Sequence, residues 1–316
     1  MGRRKAGGRP INGWLVIDKA SEMTSTHVVN VVKRLTQAQK VGHGGTLDPL
    51  ATGVLPIAMG EATKTVAYIM DARKSYRFIL RFGEARDTDD AAGAVIATSD
   101  QRPTDDAIRD ALPRFEGLIQ QVPPQYAAVK VLGERAYDIA RRGEKVELAA
   151  REIRVDELQL VRRPDSDHGE FRMTCGKGAY VRSIARDLGQ LLGCLAHVEQ
   201  LRRTEVGAFN LDNAVSLEAL ARIVENETLP QVLVPMTTAL AGIPALAVTE
   251  PQALRLRAGQ PVRVTPALLG DGAAGDTATV RAMRAGELIA LARLEGMELS
   301  PMRVFQHGPM PIGNRE

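Results

Sequence analysis

Four residues of this chain have types and settings that could carry chemistry: Asp48, Tyr76, Asp90 and Arg182. Asp48 is the single acidic residue of GHGGTLDPLATGVLP, residues 42 to 56, an otherwise glycine-rich and apolar stretch. Tyr76 opens SYRFILRFG, Asp90 belongs to the acidic RDTDDAAG, and Arg182 follows GKGAYV. A carboxylate held at fixed geometry can act as a nucleophile or as a general base. Desolvation opposes its charge and a nearby guanidinium restores it. Local sequence also admits plainer readings. Asp48-Pro49 can be a turn, Tyr76 a boundary residue with its ring in the core, Asp90 a solvated loop acid and Arg182 a surface side chain.

The elements that must position these residues follow from periodicity. Gly13 to Asp18 is a short apolar strand, and Ser25 to Gln37 is an amphipathic helix capped by Thr24 or Ser25. The Asp48 stretch then reads as a loop, and Glu61 to Ala72 as a second helix. Ser75 to Gly83 alternates as a strand, with Tyr76, Phe78, Leu80 and Phe82 on one face. Thr104 to Phe115 is helical until Pro113, and Val122-Pro123-Pro124 forces an extended turn. Gly133 to Arg142 suggests a helix, whereas Arg151 to Arg162 and Glu170 to Cys175 read as strands. Val181, Ile184, Ala185, Leu188, Leu191 and Leu192 have helical spacing, so Tyr180 and Arg182 stand at a helix entrance. Another helix is expected over Ser216 to Asn226.

The Pro-rich stretch from Pro230 to Pro251 suggests a boundary, and beyond it Leu254 to Val264 and Gly275 to Leu294 read as short strands of a small β unit. The expected organisation is a flexible basic tail over 1–11, a catalytic domain over 12–235 and a second domain over 243–308. The fold class is mixed α/β (α+β), without the strict alternation of a doubly wound sheet.

At 316 residues with 44% hydrophobic and 25% charged residues, the composition is that of a globular protein. The opening MGRRKAGGR is followed by no apolar segment, so neither a secretory signal nor a membrane anchor is expected. Cys175 and Cys194 have no metal-like spacing, and a reducing cytoplasm fits them. The histidines at 27, 43, 168, 197 and 307 suggest no metal site. Dinucleotide and P-loop fingerprints are absent, because Leu47 stands where a third glycine would be required and no Gly-Lys-Ser/Thr follows. GxSxG and HExxH are absent too.

Charge is uneven. Glu84 to Glu116 holds nine acids and four arginines, which leaves +8 on the remainder of a chain of net +3. Basic residues gather at Arg3, Arg4, Lys5 and Arg9, at Arg141, Arg142 and Lys145, at Arg202 and Arg203, and at Arg255, Arg257 and Arg263. Each group alone reads as a solvated face. Together they are compatible with phosphate contacts.

DKASEMTS (18–25), GHGGTLDPLATGVLPI (42–57), GEATK (60–64), SYRF (75–78), GKGAYVRSIARDLG (176–189) and HVEQLRRTEVGAF (197–209) resemble the TruB-type tRNA pseudouridine-55 synthases. The match runs over roughly 12 to 225. It implies a pseudouridine-synthase-like domain with a central, mainly antiparallel sheet, and a small C-terminal β domain similar to RNA-binding PUA modules. The implied reaction detaches a uracil from C1′ of its ribose, turns the base and rejoins it through C5, with no cofactor and no metal. The implied partner is tRNA, bound at its T-arm by a monomer without a guide RNA.

The resemblance carries roles onto matching residues. Asp48 is the essential carboxylate and Arg182 its ion-pair partner, for which a planar, permanently charged fork is suited. Tyr76 stacks on the extruded base, His43 fills space near the vacated position, Tyr180 lies near sugar and base, and Leu201 is an apolar wall. Asp90 supports the Asp48–Arg182 network. Lys19 matches a family lysine, but the chain departs from the KPxGxTS pattern at Ala20 and Glu22. Two other classes stay open: a glycosidic-bond hydrolase using Asp48 and Asp90, and a non-catalytic RNA-binding or RNA-folding protein.

Overall fold

The structure, a computed structural model, describes residues 7–127, 129–131, 134–135, 139, 142, 147–265 and 278–306. In chain order the first elements are β1 (Gly13–Lys19), α1 (Ser25–Thr36), β2 (Val41–His43), β3 (Thr52–Met59), α2 (Val66–Asp71) and β4 (Lys74–Phe82). Next come β5 (Glu84–Arg86), β6 (Val95–Thr98), α3 (Asp105–Ala111), β7 (Gly117–Gln121), β8 (Lys130–Val131) and β9 (Glu134–Arg135). Then follow β10 (Arg151–Arg162), β11 (His168–Cys175), α4 (Val181–Leu191), β12 (Ala196–Val206), β13 (Phe209–Asn210), α5 (Leu217–Glu225) and α6 (Leu229–Val232).

A nine-stranded sheet runs β1-β3-β12-β4-β11-β10-β7, with β2 on β3 and β13 on β12. Its pairings are antiparallel except for β12 on β3, where Arg202 faces Thr52 and Arg203 faces Gly53. The β4 stripe Tyr76, Phe78, Leu80 and Phe82 is buried as its alternation requires. It packs with Phe171 and Met173 of β11 and with Val28, Val32, Ile184 and Leu188 of the covering helices. Phe78 and Phe171 stack with ring centroids 5.6 Å apart. On the opposite side Trp14, Val16, Val54, Ala58, Val206 and Phe209 form a smaller core. The Trp14 indole N–H there donates to Thr65 Oγ1 at 3.2 Å, so its one polar group is satisfied.

A second, five-stranded sheet is built from β14 (Ala245–Ala247), β15 (Val262–Arg263), β16 (Ala278–Arg284), β17 (Glu287–Glu295) and β18 (Glu298–Val304). It has its own apolar cluster, including Leu246, Val280, Ile289 and Leu294.

Several boundaries differ from the sequence reading. Leu254 to Arg257 is not a strand but the end of α7 (Glu250–Arg257). Leu254-Arg255-Leu256-Arg257 imitates a period of two, yet Leu254 is exposed and Leu256 buried. A capping box between Thr249 and Gln252 and Pro251 in the first turn start the helix instead. The expected helix over Glu61 to Ala72 is split into a 3-10 turn, Gly60–Thr65, and α2. The ends of the expected loop at 42 to 56 are strands β2 and β3. Most of the helix expected over Gly133 to Arg142 lies outside the described residues, and Glu134–Arg135 pairs with β8. Of the expected tail, residues 1–6 lie outside the described residues. The Arg9 N–H donates to the Gln37 carbonyl at 2.7 Å, and the Gln39 N–H donates to that of Arg9.

Candidate active site

The segment from Gly44 to Ala51 joins β2 to β3 and carries Asp48. Its backbone is held from three directions. Ser25 Oγ, in the first turn of α1, donates to the Leu47 carbonyl at 3.0 Å and accepts the Leu47 N–H at 2.9 Å. Lys19 Nζ, at the end of β1, donates to Ala20 and Met23 carbonyls at 2.9 Å and to Pro49 at 3.1 Å. Arg203, on β12, donates to the carbonyls of Gly45, Thr46 and Val54. Asp48 is thus bracketed by fixed neighbours on both sides.

Gly53 explains how β3 comes so close to β12. Its φ is +99°, and a Cβ there would stand 2.1 Å from the Arg203 carbonyl oxygen, so no other residue fits.

Arg182 enters from the first turn of α4. Its Nε lies 2.9 Å from Asp48 Oδ2 and 3.7 Å from Asp90 Oδ2. Nη1 donates to the Thr88 carbonyl at 3.2 Å and Nη2 to that of Tyr126 at 3.1 Å. The Nε–H is not aimed at an acceptor, so the contact with Asp48 is an ion pair rather than a linear hydrogen bond. Arg182 is enclosed, with 5% of its side chain exposed, while 35% of Asp48 remains open to an incoming substrate.

Asp90 is buried, and its Oδ1 accepts from Thr88 Oγ1 at 2.7 Å and from the Ala92 N–H at 3.0 Å. The acidic loop is tied to β12 through the Ala91 N–H to the Val198 carbonyl and the Val198 N–H to the Asp89 carbonyl. Burial raises Asp89 to about 6, against the lowering effect of Arg186 and Arg182.

Tyr76 stands opposite Arg203 in the β4–β12 register. Burial pushes its hydroxyl up to about 12, against the lowering effect of the Arg203 guanidinium. Tyr180 is the residue before α4. Its backbone is clamped by the buried Gln121, which accepts the Tyr180 N–H at 2.8 Å and donates to its carbonyl at 3.1 Å. His43 ends β2; burial, and then the Arg203 charge, lower its pKa, so it is neutral at neutral pH. Leu201 pairs with Phe78 and lines a cleft of about 400 Å³ with Leu50, Thr52 and Arg202. Asp48, Tyr76 and Arg182 do not line that cleft.

The structure therefore gathers Asp48, Arg182 and Asp90 directly, with Lys19 beneath the same loop. Sequence reading missed Ser25, Gln121 and the inward role of Arg203. The Arg202–Arg203 doublet, which alone reads as a solvated face, does not form one: Arg203 is 1% exposed and Arg202 pairs with Asp18 at 2.8 Å. On a strand adjacent side chains point to opposite faces, and that alternation was the available signal. Arg257 is paired with Glu287 at 2.9 Å. Arg3, Arg4, Lys5, Arg141 and Lys145 lie outside the described residues. Among the described residues no cluster of His, Cys, Asp and Glu suits a metal ion, and no helix is long and apolar enough to cross a membrane.

The solved structure described as "Structure of H/ACA RNP bound to a substrate RNA containing 2'-deoxyuridine" superposes with a TM-score of 0.71 at 23% identity, over 93% of this chain and 85% of that one. The fold is that of the pseudouridine synthases. The pattern of the TruB family pseudouridylate synthase N-terminal domain matches residues 33–181, and that of the tRNA pseudouridylate synthase B C-terminal domain matches 182–241. The protein called tRNA pseudouridine synthase B of Gluconacetobacter diazotrophicus is 54% identical over 305 residues, 96% of this chain and 100% of its own. Its namesake from Dinoroseobacter shibae is 52% identical over 312 residues, 98% of this chain and 100% of its own. This chain belongs to the TruB family of pseudouridylate synthases.

Proposed function

We propose that this protein isomerises a uridine of tRNA, at position 55 in the T-arm, to pseudouridine, with Asp48 as the essential carboxylate. The observation that carries the reading is the ion pair of a solvent-accessible Asp48 with an enclosed Arg182. The guanidinium balances the negative charge of the carboxylate that the reaction needs as nucleophile or base. No carrier of atoms or electrons is required, because the product has the same composition as the substrate. The C1′–N1 bond breaks, the uracil turns, C1′–C5 forms, and the C5 proton is lost while N1 gains one.

The uridine must leave its stack at a cost of a few kcal/mol. Tyr76, with a protonated hydroxyl, offers an aromatic face that tolerates rotation of the base, whereas a fixed set of hydrogen bonds would not. Tyr180, Leu201 and neutral His43 supply the remaining contacts with the target nucleotide and its surroundings. Lys19 and Asp90 support the loop and the arginine.

Residues 12–235 form the catalytic domain in this reading, and 243–308 a PUA-like unit that touches tRNA phosphates through Arg255 and Arg263. The enzyme acts as a monomer in the cytoplasm, without guide RNA or cofactor. Buried, unpaired Cys175 and Cys194 fit a reducing compartment. A hydrolase is disfavoured, since Asp90 spends Oδ1 on its own loop and turns Oδ2 to Arg182, so it is not free to serve as the second carboxylate.

The test is incubation of unmodified tRNA with the protein and with Asp48→Asn, followed by nucleoside analysis. Pseudouridine at one T-arm position from the unaltered protein alone supports the reading. Product from Asp48→Asn, or free uracil, overturns it.

A further inference from the structure

Arg203 is the largest buried cation that the mechanism above leaves unused. Its guanidinium Nε donates to the Val54 carbonyl at 2.8 Å, Nη1 to Thr46 at 3.2 Å and Nη2 to Gly45 at 3.1 Å. The Tyr76 hydroxyl is its fourth neighbour. All four are oxygens without formal charge. Among the described residues, Asp48 is the carboxylate whose charge acts on it.

Such an arrangement is costly. A cation taken from water into the interior loses several kcal/mol of hydration, and neutral carbonyls return part of that. An aliphatic side chain would fill the same core position without this penalty. What the aliphatic residue could not do is join three things at once. Arg203 grips the loop two and three residues before Asp48, grips β3 after it at Val54, and reaches the hydroxyl of Tyr76. Its own backbone is fixed between these strands, opposite Tyr76 on β4 and Gly53 on β3.

We propose that Arg203 is a positioning residue of the isomerisation: it sets the distance between the Asp48 loop and the Tyr76 ring. The proposal rests on the reading of the site given above. The charged and titratable groups around Asp48 are Lys19 from β1, Tyr76 from β4, Asp90 from the acidic loop, Tyr180 and Arg182 at the entrance of α4, and Arg203 from β12. Arg182 touches the carboxylate directly and Arg203 acts from below. Loss of Arg203 should therefore weaken catalysis without removing the ion pair.

The experiment compares the unaltered full-length chain with Arg203→Lys and Arg203→Met. It measures kcat, tRNA affinity and the urea midpoint. Arg203→Met is expected to lose about a hundredfold in kcat with tRNA affinity within about threefold. Arg203→Lys keeps the charge but cannot span all four oxygens. It should lose about tenfold in kcat, again with affinity within about threefold. Both variants within threefold of the unaltered protein in kcat, or a loss of kcat matched by an equal loss of tRNA affinity, overturn the proposal. If Arg203→Met does not fold, Arg203→Lys decides: a tenfold loss at unchanged affinity supports the proposal, and unchanged kcat overturns it. An unaltered protein that binds tRNA but makes no pseudouridine contradicts the reading of the site, not the role of Arg203.

Discussion

Arg182 Nε stands 2.9 Å from Asp48 Oδ2 while both terminal nitrogens of the same guanidinium are held by backbone carbonyls, those of Thr88 and Tyr126. The arginine is anchored at its far end and turned at its near end toward the only open carboxylate of the pair it faces. Replacing it removes the cation paired with Asp48. For Arg182→Met we expect turnover to fall at least about a thousandfold. tRNA affinity should stay within about tenfold, since phosphate contacts elsewhere supply the binding. Single-turnover assays and filter binding measure the two quantities, and substantial turnover in this variant would remove Arg182 from the reaction.

Lys19 gives an alkaline limit. Burial lowers its pKa to about 8, and the charged form has three N–H groups for three carbonyls, including that of Pro49. Proton loss leaves two donors, so the Asp48 loop loses one of its anchors above about pH 8. The sign for stability is opposite. A lysine depressed in the folded state favours folding less when charged, so its contribution is complete above the unfolded pKa and lost as pH falls through about 8. Activity is therefore expected to decline above pH 8 without unfolding. Lys74 is also lowered to about 8 but bonds Met70 and Ala72. Lys74→Met should keep the alkaline decline and Lys19→Arg should abolish it.

Glu22 stands where the related pattern has glycine, and its φ is +65°. Its N–H donates to the Pro49 carbonyl at 2.8 Å, which fixes the conformation. A left-handed conformation costs an L-residue about 1–2 kcal/mol, and glycine's greater unfolded freedom offsets part of the relief. Glu22→Gly is expected to stabilise the protein by about 0.5–1 kcal/mol in urea titration, with kcat unchanged. A lower midpoint would show that the Glu22 side chain contributes more than its backbone costs.

Gly53→Ala tests the close approach of β3 and β12. The added methyl would meet the Arg203 carbonyl at 2.1 Å on a backbone of φ +99°. A loss of about 3 kcal/mol or more, or failure to fold, is expected from calorimetry.

What the sequence disclosed, and what it concealed, follows from the range of the interactions. Asp48, Tyr76 and Arg182 stand out in the sequence because short motifs surround them and because the Tyr76 stripe obeys a strand period. Arg203 was hidden in a doublet with Arg202, where two adjacent charges look like one solvated face. Only the placement of β12 between β3 and β4 turns one inward and the other toward Asp18. Gln121 and Ser25 were hidden for the same reason: their partners, Tyr180 and Leu47, are distant in sequence. The end of α7 resembles a strand because its Leu-Arg alternation has a period of two, while its capping box, Thr249 and Gln252, lies upstream of that alternation.

The most direct test of the central claim follows the hydrogen on C5 of uridine. With tRNA carrying tritium at C5 of its uridines, rejoining the base through C5 releases one tritium per tRNA into water. The account expects that release from the unaltered protein, at one T-arm position, with none from Asp48→Asn and no free uracil. Tritium retained in tRNA that the protein demonstrably binds, or uracil set free, would contradict it.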